Sequence, residues 1–120
     1  MLDFYTRLLG LVEERRLEAI GLIQLRVGRS LIDLVPMAGK LGAMGGAAPG
    51  AEGRNVDHFC LGIDASDLVR AMRWLGEQGV EIIGEPATRY GARGMGLSIY
   101  VRDPEGNVVE LKQMPPGTRA

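Results

Sequence analysis

Cysteine, histidine and aromatic side chains are all scarce in this chain. Its 120 residues hold one cysteine, one histidine and 5% aromatics. A lone cysteine, Cys60, cannot close an intramolecular disulfide, which fits a reducing cytoplasm. So few aromatics argue against a cleft that grips a ligand by stacking. Charge of neither sign dominates, the net being −1, so nothing electrostatic calls for nucleic acid or an anionic membrane as partner. No apolar run approaches the length of a bilayer span. Residues 1–7 lack a basic start followed by an apolar core, so they do not read as a signal peptide. The length points to one domain in the cytoplasm. Glycine is the abundant residue, at 18.

The single histidine, His58, heads an alternating strand, Val56-Asp57-His58-Phe59-Cys60-Leu61-Gly62-Ile63. Successive strand side chains point to opposite faces, so Phe59, Leu61 and Ile63 share the core face while His58, Cys60 and Gly62 share the other. A late strand, residues 108–112, carries Glu110 in the same phase, with Val109 and Leu111 on the core side. An imidazole and a carboxylate converging on one face is what a divalent metal site requires. Cys60 shares that face, but a lone cysteine reads as a small packed residue.

Along the chain, Leu2, Tyr5, Leu8 and Leu9 are spaced as in a helix that stops at Gly10. An extended stretch at 11–17 follows. Two strands, 21–27 and 30–35, then read as a hairpin around Gly28-Arg29. Residues 36–55 hold six glycines among alanines and read as a flexible linker. After the His58 strand, Asp64-Ala65-Ser66-Asp67 is a helix N-cap signature, and Leu68, Met72 and Leu75 form the stripe of a helix stopped by Gly79. Met72 and Trp74 read as core or interface residues. Residues 80–83 extend, 84–94 read as a loop, and 97–102 with 108–112 form a second hairpin. Its turn, Asp103-Pro104-Glu105-Gly106-Asn107, is turn chemistry without a catalytic role.

The two halves superpose as a repeat, helix on helix and hairpin on hairpin. Asp33 falls where Glu110 does and has the matching phase, between Ile32 and Leu34 on the core side, so it is a third candidate ligand. The counterpart of the His58 strand would lie upstream of Met1.

Three stretches resemble the vicinal oxygen chelate superfamily, the group of glyoxalase I, bleomycin-resistance proteins, fosfomycin-resistance enzymes and extradiol dioxygenases. They are Phe4-Tyr5-Thr6-Arg7-Leu8-Leu9-Gly10-Leu11, Asp57-His58-Phe59, and residues 98–111 with their Asp103-Pro104-Glu105-Gly106-Asn107 turn. The resemblance extends over nearly the whole chain outside the linker. It implies an α+β fold of paired βαβββ modules, each a half-barrel around a divalent ion. Module one would span 1–35 without its first strand, the linker 36–55, and module two 56–114.

The resemblance further implies metal ligation by His58, Glu110 and Asp33, with zinc, nickel, manganese or iron as candidate ions. Glu110 would also serve as catalytic base. The expected activity is that of a lyase, isomerase or dioxygenase on a small substrate with two adjacent oxygens. The alternative is a non-catalytic protein of the bleomycin-resistance type that sequesters a small molecule. Ser98 and Tyr100 share a face that could meet substrate. Arg89 and Arg93 sit in the glycine-containing stretch, where an arginine fork would hold a carboxylate or phosphate. A missing first strand leaves an unprotected sheet edge. That predicts a homodimer, in which modules can exchange across the linker.

Overall fold

The computed structural model describes residues 1–54 and 56–115. Asn55, the last residue of the expected linker, lies outside the described residues. The chain divides into two compact units, Met1–Glu52 and Gly53–Ala120. The secondary structure is mixed α+β, with two sheets and few helices.

The first unit opens with a π-helical segment, Phe4–Leu8, that buries Phe4 and Tyr5. Their rings meet edge to face at 5.0 Å. The helix ends as the sequence predicts: Gly10 takes φ of +81°, and its amide donates to the Thr6 carbonyl, a turn that a side chain would strain. Strands β1 (Val12–Leu17), β2 (Leu22–Val27) and β3 (Ser30–Leu34) follow as an antiparallel meander in the order β1-β2-β3. Leu25 on β2 is fully buried. On the polar side of β1, Glu14 takes a bidentate grip from Arg26 Nη2 at 2.6 and 2.7 Å.

The expected linker is more structured than its composition suggests. It carries a short helix, α1 (Lys40–Met44). The Leu41 amide donates to the Ile20 carbonyl, tying that helix to the β1–β2 turn. Two of the glycines there, Gly39 and Gly42, serve close packing. A Cβ on Gly42 would stand 2.1 Å from the Pro36 carbonyl oxygen, and one on Gly21 would stand 3.0 Å from Gly39 Cα. Over 36–44 glycine thus serves close backbone approach rather than freedom, whereas Gly46, Gly50 and Gly53 have nothing within 4 Å of an added Cβ.

The second unit runs β4 (Phe59–Ile63), α2 (Leu68–Glu77), β5 (Ile82–Gly91), β6 (Gly94–Arg102) and β7 (Val108–Gln113). The sheet order is β4-β7-β6-β5, with β4 parallel to β7 and the other pairs antiparallel. The Asp67 carboxylate caps α2 by accepting the Arg70 amide at 3.0 Å, as the N-cap signature predicts. Leu68 and Leu75 are buried, and α2 packs on β5 and β6. Ile99, Val101, Val109 and Leu111 complete this core, each 2% exposed or less. Met72 is half-buried and Trp74 is exposed. Each unit thus holds a helix leading into a three-stranded meander, and the second adds a parallel strand beside β7.

One expectation fails here. Residues 84–94 do not form a loop: β5 runs to Gly91, and only Ala92 and Arg93 turn. Gly84 and Pro86 read as breakers, yet Gly84 takes φ of +70° inside a bulge between Ile83 and Ala87. A bulge accepts a positive-φ glycine, and an edge strand tolerates proline because its outward amide needs no partner. The expected strand at 56–63 also shortens, so His58 lies one residue ahead of β4. Among the described residues no helix is long and apolar enough to cross a membrane.

Candidate functional site

Glu110 sits mid-way along β7, the strand flanked on both sides. Cys60 of β4 and Tyr100 of β6 are its register partners. Paired residues of neighbouring strands share a face, so all three project from the side opposite the apolar set. Glu110 is 5% exposed. A buried carboxylate needs hydrogen-bond donors, and the donors on its face are the Cys60 thiol and the Tyr100 hydroxyl, both close enough for its charge to raise them. Both donors are held in their protonated forms. Burial, then the Glu110 charge and hydrogen bond, push the Cys60 thiol up to about 11, against a smaller opposing pull from Lys112. The cysteine is exposed as a residue, but its thiol feels the Glu110 charge. The Tyr100 hydroxyl is raised for the same two reasons in the same order, and Arg89 opposes.

His58 reaches the same carboxylate from the segment ahead of β4. Its Nε2 stands 3.4 Å from Glu110 Oε1, its ring meets the Tyr100 ring edge-on at 5.2 Å, and its Nδ1 lies 2.7 Å from Asp57 Oδ2. The first distance is long for a hydrogen bond, whose N···O separation centres near 2.9–3.0 Å. It matches instead the edge of a tetrahedral coordination sphere, in which donors bound at about 2.0–2.1 Å stand roughly 3.3–3.4 Å apart. With Nδ1 engaged by Asp57, Nε2 is the nitrogen available to a ligand, the arrangement in which a second carboxylate orients a metal-bound histidine. The pair and its backing residue therefore fit a divalent ion. Among the described residues no group of three His, Cys, Asp or Glu side chains stands close enough to hold one.

Asp33 belongs to the first unit, on β3 opposite Gln24. It is exposed, and its Oδ1 accepts from Gln24 Nε2 at 2.9 Å. The cross-strand bond is the counterpart of Tyr100 to Glu110 in the second unit. Arg89, Ser98 and Tyr100 gather on the Glu110 face. The Arg89 guanidinium donates to the Ser98 carbonyl and Oγ, both at 2.9 Å, and lies 4.6 Å from the Tyr100 ring centroid. Arg93 sits at the exposed hairpin tip. Sequence reasoning gave no role to Asp57 or Lys112. Asp57 could have been found from its adjacency to the only histidine.

The chain matches the family described as the Glyoxalase/Bleomycin resistance protein/Dioxygenase superfamily over residues 1–111. An integron cassette protein from the mobile metagenome of V. cholerae shares its fold at a TM-score of 0.69 and 31% identity, over 95% of this chain and 84% of that one. A lactoylglutathione lyase from Agrobacterium tumefaciens has the same fold at a TM-score of 0.60 and 22% identity, over 93% of this chain and 81% of its own. A glyoxalase domain-containing protein of Mycosarcoma maydis is 46% identical over 44 residues, 37% of this chain and 25% of that protein. A virulence protein of Salmonella typhimurium is also 46% identical, over 37 residues, 31% of this chain and 26% of that protein. The match therefore spans about a quarter of each of these two curated relatives. The family match, the shared fold and the paired helix-and-meander units agree: this chain belongs to the glyoxalase/bleomycin resistance protein/dioxygenase superfamily.

Proposed function

We propose that the protein is a glyoxalase-like vicinal oxygen chelate enzyme, holding a divalent ion through His58 and Glu110. It would act as a lyase, isomerase or dioxygenase on a small substrate with two adjacent oxygens. The observation that carries the reading is the 3.4 Å approach of His58 Nε2 to Glu110 Oε1, with Asp57 behind the imidazole. When bound, the ion supplies the Lewis acidity that polarises two neighbouring oxygens. Glu110 would take a proton from a substrate carbon that bears one of them. The Tyr100 hydroxyl, kept protonated by burial and by Glu110, would turn its one proton from Glu110 to charge that builds on substrate oxygen. Asp57 keeps the imidazole oriented.

The reading includes a homodimer. β3 is an edge of its sheet, whereas its counterpart β7 is covered by β4, and an open edge favours pairing with another chain.

Calorimetric titration of zinc, nickel and manganese into the wild type, His58→Ala and Glu110→Gln tests the metal assignment. Binding lost in both variants is expected; undiminished binding in both removes the reading.

A further inference from the structure

Lys112 is 5% exposed, although lysine is almost never so buried unless its charge is paired. It lies two residues beyond Glu110 on β7, on the same face. Among the described residues no carboxylate stands within ion-pair distance of its ammonium. The ammonium donates to the main-chain oxygen of Arg89, which occupies one of its three protons. Its stem crosses β6 to reach β5, and two glycines make the crossing possible. A Cβ on Gly91 would stand 2.9 Å from Lys112 Cδ and Cε, and one on Gly96 would stand 3.5 Å from Cε.

Arg89 is the second cation on this face. All its hydrogen bonds use Nη1, to Ser98 and Ala87; Nε and Nη2 make none among the described residues. Its guanidinium stacks on Tyr100, whose ring touches His58. Glu110 is the buried acid of this face, and two cations outweigh it. Any cation that Glu110 accepts widens the imbalance. Buried positive charge of this kind is stabilised by an anion that brings its own oxygen acceptors.

We propose that Lys112 and Arg89 form an anion subsite that holds a carboxylate or phosphoryl group of the substrate. Along β7 Lys112 is two residues from Glu110, roughly 7 Å, so the subsite lies beside the reacting end. This rests on the His58–Glu110 reading and narrows it. The substrate is a small organic anion, with its adjacent oxygens at one end and its negative group at the other.

The test is an amide NMR titration of the metal-free protein, separately with acetate and with inorganic phosphate. Saturable shifts centred on Gly91, Gly96, Ser98 and Lys112 are expected with one of them. Acetate alone marks a carboxylate substrate, and phosphate alone marks a phosphoryl one. Lys112→Met should weaken that binding by about tenfold or more, the scale of a charge-assisted bond, and Arg89→Gln provides a second variant should the first fail to fold. No saturable shift with either anion in the wild type overturns the subsite, as does unchanged affinity in folded variants. Line broadening around His58 and Glu110 by added manganese reports the metal reading in the same sample. Broadening without anion shifts therefore fails the subsite alone, and anion shifts without broadening fail the metal site alone.

Discussion

Truncation of Asp57 separates a metal site from a mere cluster of polar groups. The Asp57 carboxylate stands 2.7 Å from His58 Nδ1, and its side chain is 97% exposed. If His58 ligates through Nε2, losing an outer partner of this kind costs about 10–100-fold in metal affinity. Exposure places Asp57 at the lower end, because water can replace the lost acceptor and bulk solvent screens the charge. Asp57→Ala should therefore weaken metal binding by about tenfold. Glu110→Gln should weaken it far more, because it removes a buried ligand that water cannot replace. The variants are ranked by calorimetry at fixed pH and ionic strength. A ranking in which Asp57→Ala equals or exceeds Glu110→Gln refutes the reasoning, since Asp57 would then itself be the ligand. An unchanged affinity in Asp57→Ala would refute the proposed orientation of the imidazole.

Two further outcomes follow from the same contacts. Cys60 alkylation should show a midpoint near pH 11, where burial and Glu110 hold the thiol, and Glu110→Gln should move it toward the ordinary value. A midpoint near 9.0 in the wild type, or one unmoved in the variant, counts against the Glu110 contact. The thiol is raised on folding, so its contribution to stability is complete below about 9 and is lost as pH climbs through about 11. For the linker, Gly42→Ala should destabilise by about 1–3 kcal/mol, the cost of overpacking, and should expose the Leu41 amide to hydrogen exchange. Gly50→Ala, with nothing within 4 Å of its added carbon, should do neither; equal behaviour of the two would show that the 36–44 packing is not formed.

Much of the fold was legible because periodicity and punctuation agreed. Gly10 and Gly79 close helices with positive φ, Asp67 caps α2, and alternation placed Glu110 opposite the core face with His58 beside it. Four things were hidden, each for a physical reason. Gly84 and Pro86 resemble breakers, but a bulge in an edge strand absorbs both. The glycines near 36–44 resemble a flexible tether, but close backbone contact requires them. Strand alternation would send Asp57 and His58 to opposite faces. They lie ahead of β4, where that rule lapses and their side chains can meet. Lys112 was hidden because a lysine at a strand end normally reads as solvated, and its burial depends on glycines in two other strands.

The repeat also explains why its two acidic positions are unequal. Glu110 lies on a strand with neighbours on both sides, so Cys60 from β4 and Tyr100 from β6 both stand beside it. The parallel run of β4 is what brings His58 alongside. Asp33 lies on a strand paired on one side only, so Gln24 has a counterpart in Tyr100 while Cys60 and His58 have none in the first unit. A ligand held from two sides and buried loses little freedom on binding a cation. One held from a single side and exposed must be ordered at that moment, at the cost of its rotamer entropy. Of the two acidic positions the one beside β4 is therefore preformed, and its geometry follows from the one strand that the second unit has and the first does not.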